Sequence, residues 1–391
     1  MIFELIADRL AAIGRAGLMR RRLAREGAQG PRIRVEGREY VAFCSNDYLG
    51  LANHPRVVEA AVVAARRHGI GQGASHLLSG HSAEHDRLES ALAEFVRMPR
   101  ALLFSSGYQA NIGVITALAG PEDVVYSDAL NHASLIDGVR LSRAQVVRYP
   151  HGDVDFLSRA LASYGGGARL VVTDGVFSMD GDIAPLPGLL DLCERHDALL
   201  VLDDAHGFGV LGPEGRGSPA YFSAQSPRLV YVGTLGKAAG VSGAFVAGAP
   251  DIVETVLQRA RTYIYTTATP ALLCAAVEAS LQLIRDDEWR RERLRAHIGS
   301  LKRLLSDVEP RLGRSDTPIQ PLVLGANARA LDAAGALRER GILVPAIRPP
   351  TVPEGTARLR ISLSAAHSEE DIARLTGALR EACARGAEAH A

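Results

Sequence analysis

In the stretch 198-ALLVLDDAHGFG, five apolar residues run into two adjacent acids, a histidine and a glycine. A short apolar run with no polar alternation predicts a strand covered on both faces, as in parallel sheets. The pattern recurs outward in both directions, in 101-ALLF, 123-DVVYSD, 145-QVVRYP, 169-RLVVTDG, 228-RLVYVGTLG and 243-GAFVAG. Helix-patterned segments such as 109-QANIGVITALAG and 185-PLPGLLDLCERHD lie between the runs. This alternation predicts crossover units and an α/β fold, a mostly parallel sheet with helices on both faces. Ligands in such sheets bind beyond the carboxyl ends of the strands, so the polar residues closing each run are the place to look.

After residue 248 the pattern changes to the helical segments 250-PDIVETVLQRA and 270-PALLCAAVEASLQLIRDDEWRRERLRAHIGSLKRLL. Short strands, 319-IQPLVLG and 357-ARLRISLS, follow with a helix between them, and 368-SEEDIARLTGALREACARG closes the chain as a helix. The expected organisation is an N-terminal helix with short strands over 1–45, a large α/β domain over 46–285 and a small α+β domain over 286–391.

The 391 residues carry 44 basic and 44 acidic side chains, giving zero formal net charge, with 47% hydrophobic residues. That balance, with no Lys/Arg-rich block, argues against nucleic acid as a partner. The apolar runs stop well short of the roughly 20 residues of a membrane span. Cys44, Cys193, Cys274 and Cys383 are scattered with no CxxC pair, which fits reduced thiols in a cytoplasm rather than a disulfide framework or thiolate metal site. The Arg-rich start, 1-MIFELIADRLAAIGRAGLMRRRLAREG, carries Glu4, Asp8 and Glu26 and reads as an amphipathic helix rather than a targeting segment.

Lysine is nearly absent: only Lys237 and Lys302 occur, against 42 arginines. Lys302 lies on a charged helix face where arginine would serve as well. Lys237 lies in a Gly-rich turn beyond the run 228-RLVYVGTLG, where a lysine amine held near neutral can form a Schiff base. Asp203 ends the central run with His206 three residues on, and 104-FSSGYQAN places backbone amides at a helix start, where phosphate binds. An amine, a carboxylate for a pyridinium nitrogen and phosphate donors are what pyridoxal 5'-phosphate requires.

Two rival motifs occur. The segment 81-HSAEH matches the HxxEH pattern of zinc hydrolases, with His81 and His85 as ligands and Glu84 as base. Ser82, however, reads as an N-cap with His81 outside the helix, so the histidines need not share a face. The segment 69-GIGQGASH fits a loose dinucleotide fingerprint but follows a helix-like stretch rather than a strand, and reads as a loop.

The motifs 45-SNDYLGL, 105-SSGYQAN, 131-NHASLIDG, 175-GVFSMDGDIAPL, 202-LDDAHGFGVLG, 233-GTLGKAAGVSGA and 346-AIRPPTVPEGTARLRISLSAAH resemble the α-oxoamine synthases, pyridoxal phosphate enzymes of fold type I with an aspartate-aminotransferase-like fold. The resemblance implies a large domain with a mostly parallel sheet plus a smaller α+β C-terminal domain. It implies that Lys237 is the Schiff-base lysine and base, that Asp203 pairs with the pyridine nitrogen, and that His206 reaches the phenolic oxygen. His132 would stack on the ring and orient the acyl group, and Ser178 would support the ring. Gly107 and Tyr108 amides and the Thr234 hydroxyl would take the phosphate. Arg360 would grip the amino-acid carboxylate, with Asn46 a second candidate, and Arg20 and Thr351 would meet the acyl substrate.

Within the family, 346-AIRPPTVP and 357-ARLRISLSAAH favour the branch that condenses L-alanine with a pimeloyl thioester, on CoA or acyl carrier protein, over those using glycine or serine with another acyl-CoA. The resemblance further implies a homodimer with the site at its interface and no metal in the reaction. The segment 264-IYTTATP departs from the Ser-Thr-Ser that follows the tyrosine in relatives, so Thr266 and Thr267 receive no role.

Overall fold

The computed structural model describes residues 1–163, 166–306 and 312–388. The chain divides into two compact units. The larger comprises residues 46–178 and 182–292, and the smaller comprises 1–45, 179–181 and 293–391.

The larger unit is built on a seven-stranded sheet. Its strands are β1 (Arg100–Phe104), β2 (Val124–Asp128), β3 (Gln145–Tyr149), β4 (Arg169–Asp174), β5 (Ala198–Asp203), β6 (Leu229–Thr234) and β7 (Ala244–Gly248). Their spatial order is β1-β7-β6-β5-β4-β2-β3. Pairings from β6 through β3 are parallel, and β7 runs antiparallel to both its neighbours. Every residue of β2, β6 and β7 is buried, which is why these runs show no polar alternation.

One face of the sheet is covered by helices Gly107–Leu118 and Pro250–Arg259, whose Val114, Ile115, Val253 and Val256 pack with Phe104, Val230 and Val246. Helix Ala133–Ser142 packs closely on Gly107–Leu118. Gly138 permits the approach, since a Cβ there would sit 2.9 Å from Ile115 Cδ1 and 3.2 Å from Asn111 O. The parallel topology has a functional consequence. Asp128, Asp174, Asp203 and Thr234 each end a parallel strand, so four polar side chains gather at one edge of the sheet.

The expected continuous helix after residue 270 is two helices, Ala271–Asp286 and Glu288–Leu304. Asp287 breaks the run at φ −93°, ψ 60°, and its carboxylate takes Arg290 Nε at 2.9 Å at the start of the second helix. Periodicity alone does not reveal such a break, because the apolar spacing continues through it.

In the smaller unit, strands Arg25–Glu26, Arg32–Val35 and Arg38–Ala42 form a sheet closed by the parallel strand Ile342–Leu343. A second sheet orders Ile319–Gly325, Ala357–Ser362 and Ala346–Ile347. Residues 1–45 belong to this unit through that parallel pairing and through Phe43, whose ring stacks on His367 at 4.2 Å. Helix Ile2–Arg15 has no buried residue. No helix among the described residues is long and apolar enough to cross a membrane.

Candidate active site

Lys237 follows β6 in a tight turn closed by the Gly240 amide on the Lys237 carbonyl at 2.8 Å. Its Nζ lies 2.8 Å from His206 Nε2, and Tyr48 Oη lies 2.7 Å from the other ring nitrogen of that imidazole. Tyr48 in turn donates to Asn46 Oδ1 at 3.2 Å. Tyr48 and His206 are both buried, so this row of groups is held with little freedom.

The turn after β5 is anchored by its second acid. Asp204 is fully buried and accepts from Ser218 N at 2.7 Å, Tyr231 Oη at 2.9 Å and the Ser218 hydroxyl. Glycines 175, 207 and 217 wall this carboxyl: a Cβ on any of them would come within 2.1–2.6 Å of an Asp204 carboxylate oxygen. Burial pushes the Asp204 carboxyl up to about 7. The anchor leaves Asp203, the preceding residue, facing the site.

Asp203 Oδ2 accepts from Asn111 Nδ2 at 2.5 Å and its Oδ1 from the Ala205 amide at 3.0 Å. Asn111 also donates to Ser134 Oγ at 2.8 Å, and Ser134 Oγ lies 2.7 Å from His132 Nδ1. His132 is placed by its role as N-cap of helix Ala133–Ser142 and by its backbone amide, which donates to Asp174 Oδ2 at 2.7 Å. Burial holds His132 below the usual histidine range, and the nearby Asp203 charge only partly offsets it. Asp174, fully buried, is pushed well above the carboxylate range by burial and by the charge of Asp203.

The third corner is the start of helix Gly107–Leu118. Ser106 caps it by taking the Gln109 amide at 3.2 Å. The amides of Gly107 and Tyr108 come before the first intrahelical bond and point out of the helix end. The Thr234 hydroxyl lies beside them, 3.9 Å from where a Gly107 Cβ would be. Tyr108 meets His132 edge-on at 6.5 Å between ring centroids, which closes the circuit.

A primary amine beside an imidazole, a buried carboxylate held by neutral donors, and a hydroxyl beside two helix-start amides form a donor set that fits pyridoxal phosphate. Asn111 Oδ1, on the amide that bonds Asp203, is buried with no hydrogen-bond partner among the described residues.

Residues 38–379 match the family Aminotransferase class I and II. The chain belongs to that family. It is 60% identical over 378 residues to the 8-amino-7-oxononanoate synthase of Nitrosospira multiformis, covering 97% of this chain and 96% of the relative. The synthase of the same name from Nitrosomonas eutropha is 56% identical over 96% of this chain and 98% of its own. Among solved structures, serine palmitoyltransferase from S. paucimobilis, with bound PLP, superposes at a TM-score of 0.92 with 31% identity and 98% coverage of both chains. The 8-amino-7-oxononanoate synthase of Francisella tularensis gives a TM-score of 0.76 with 32% identity, over 88% of this chain and 98% of that one. These likenesses place the chain among the fold type I, pyridoxal phosphate-dependent enzymes of the aminotransferase family, with relatives at 56–60% identity that are named 8-amino-7-oxononanoate synthases.

In this aminotransferase-family chain the larger unit gathers Asn46, Gly107, Tyr108, His132, Asp203, His206, Thr234 and Lys237 into one connected set. Ser178 is half-buried in the turn closed by the Phe177 amide on Asp182 O at 3.0 Å. Arg360, Thr351 and Arg20 belong to the smaller unit. There Arg360 is buried in strand Ala357–Ser362 with Nη1 on Ser362 Oγ at 2.7 Å, while Thr351 and Arg20 are exposed. Tyr48, Asn111, Ser134 and Asp174 belong to the site and received no role from the sequence. Tyr48 and Asn111 lie inside the quoted motifs 45-SNDYLGL and 105-SSGYQAN, which was the available signal.

The Ser82 N-cap reading of 81-HSAEH holds against the rival hydrolase reading. Ser82 is the N-cap of helix Ala83–Val96. His85 spends both ring nitrogens, Nδ1 accepting from Ser82 N at 3.1 Å and Nε2 donating to Thr269 O at 2.7 Å. Glu84 pairs with His68 at 3.0 Å and Arg87 at 3.1 Å. Neither group is left to serve a metal-bound water.

Proposed function

We propose that this synthase joins L-alanine to a pimeloyl thioester, carried on CoA or acyl carrier protein, releasing the thiol and carbon dioxide and yielding 8-amino-7-oxononanoate for biotin biosynthesis. The observation that carries the reading is the 60% identity, over 97% of the chain, to a synthase of that name. Bound pyridoxal phosphate supplies an electron sink for the carbanion left when alanine loses its Cα proton.

The chain's own groups divide the remaining work. Lys237 Nζ holds the cofactor's aldehyde carbon between turnovers and, when free, carries the Cα proton. Its partner His206 Nε2, at 2.8 Å, accepts a hydrogen bond from the ammonium form and keeps the amine aimed. Asp203 holds a proton on the pyridine nitrogen, a role that needs a carboxylate whose other contacts are neutral donors, as Asn111 and the Ala205 amide are. His132, kept neutral by burial, presents a flat face to the ring. Gly107 and Tyr108 amides with the Thr234 hydroxyl take the phosphate. Ser178 supports the ring, Arg360 takes the alanine carboxylate with Asn46 as a second donor, and Arg20 and Thr351 meet the acyl substrate.

A homodimer with the site at its interface, and a cytoplasmic setting, complete the proposal. The latter is supported by free Cys44, Cys193 and Cys274. The test is product formation from L-alanine and pimeloyl-CoA or pimeloyl-acyl carrier protein, with glycine and serine, and palmitoyl-CoA, as competitors. Preference for serine or glycine with a different acyl-CoA would overturn the substrate assignment, and no thioester-dependent product with any pair would overturn the activity.

A further inference from the structure

The motif 81-HSAEH takes no part in the chemistry above, yet it lies in a group of three imidazoles. His76 in the π-helical turn His76–Gly80, His81 just after it and His85 in helix Ala83–Val96 have ring centroids 5.0–5.1 Å apart. Tyr263 stacks on His76 at 4.8 Å and fixes its plane. His81 Nδ1 faces His76 Nδ1 at 2.8 Å, so one N–H lies between them.

The other nitrogen of His81 meets a carboxylate. Its Nε2 lies 2.9 Å from Asp86 Oδ1, and Glu89, three residues on along the same helix, completes a trio. One ligand atom from each of the three lies within 4.8 Å of the others. One Glu89 oxygen accepts the Leu103 amide at 2.9 Å, which steadies the carboxylate without using its second oxygen.

We propose that His81, Asp86 and Glu89 form a binding site for a divalent transition metal of the Zn²⁺ type, with water completing the shell. One imidazole and two carboxylates suit such ions. Metal bonds of roughly 2.0–2.2 Å place ligand atoms a little over 3 Å apart, so a side-chain rotation brings the trio into range. His76 Nδ1, at 2.8 Å, can accept an N–H from His81 Nδ1 once Nε2 binds the ion, the outward hydrogen bond that orients a ligating imidazole. Any proton that His81 Nε2 carries toward Asp86 would leave to solvent when the metal binds. The ion would tie the π-helical turn to the first turns of helix Ala83–Val96. Glu84 and His85 take no part, so this is not the hydrolase site that the HxxEH spacing suggests.

The test titrates ZnCl₂ into tag-free holoenzyme previously treated with EDTA, by calorimetry and metal analysis, beside His81→Gln and Asp86→Asn. Both substitutions are at partly or largely exposed side chains outside the catalytic set, and cofactor absorbance checks that each variant is folded and loaded. The cofactor site can itself take up metal, and it is intact in all three proteins. The expected result is one saturable Zn²⁺ per wild-type chain beyond any shared uptake, weaker at lower pH, and at least about tenfold weaker in each variant. Absence of that extra ion in the wild type, or equal affinity in His81→Gln, would overturn the site.

Discussion

The phenol of Tyr48 meets His206 Nδ1 at 2.7 Å, on the opposite edge of the imidazole from Lys237. Because Tyr48 donates its own proton to Asn46 Oδ1, it accepts the N–H of His206 Nδ1. That choice leaves Nε2 with its lone pair toward Lys237 Nζ at 2.8 Å. A buried tyrosine thus sets the tautomer of the histidine that faces the reactive amine.

Tyr48→Phe removes the acceptor 2.7 Å from His206 Nδ1, and losing such a hydrogen bond costs about 0.5–1.5 kcal/mol. We expect kcat to fall about tenfold or more and the pH dependence of kcat/KM to shift, with KM for alanine little changed. The pH–rate profile of the variant is the check, and an unchanged profile would remove Tyr48 from the proton pathway.

Asp203→Asn preserves shape and loses the charge. The amide cannot hold the pyridine nitrogen protonated, so kcat should fall at least about a hundredfold, the scale on which single preorganised electrostatic partners act. Steady-state kinetics with saturating cofactor measure this. Activity within a few-fold of wild type would reject the assignment.

Lys237 and Lys302 are the only two lysines, which permits a simple labelling experiment. Borohydride reduction of the cofactor-loaded protein should fix the label on Lys237 alone, read by peptide mass. Lys302, paired with Asp316 at 2.5 Å, should stay unlabelled, and Lys302→Arg should keep full activity.

His151 bridges Asp128 Oδ1 at 3.0 Å and Asp182 Oδ2 at 2.8 Å, and those two hydrogen bonds raise its pKa to about 10. A raised folded-state pKa contributes stability that is fully present below the ordinary value of about 6.5 and is lost as pH rises through the folded value. Wild-type resistance to urea should therefore decline from about pH 7 to about pH 10 more steeply than that of His151→Gln. Parallel profiles for the two proteins would show that the bridge is not charged.

Gly207→Ala would place a Cβ 2.1 Å from Asp204 Oδ1, against a carboxyl fixed by three donors. Overpacking of this kind costs about 1–3 kcal/mol. The displaced turn carries Asp203 and His206, so cofactor affinity should fall along with the denaturation midpoint, as followed by visible absorbance during urea unfolding.

The central strands were legible because they are covered on both faces and had to be written as apolar runs, as in 124-VVYSD and 229-LVYVGT, while the edge strand Gln145–Tyr149 is largely exposed. Lys237 was legible by rarity, and Asp203 because it closes a run at the end where parallel sheets bind ligands. The break at Asp287 was not, since the apolar spacing persists across it. In 81-HSAEH the Ser82 N-cap was legible, but the bond that occupies His85 was not, because it depends on Thr269 O, which lies 184 residues away.

By itself, then, the sequence determined the α/β architecture, the strand ends and the residue types offered there, since burial periodicity and strand-end chemistry are local properties of the chain. Only the tertiary structure decided which of those groups meet. Tyr48 reaches His206 across 158 residues, and Asn111 reaches Asp203 across 92. Hydrogen bonds act over about 3 Å and depend on angle, so such partnerships exist only once strand order and helix packing have brought distant segments to one edge of the sheet.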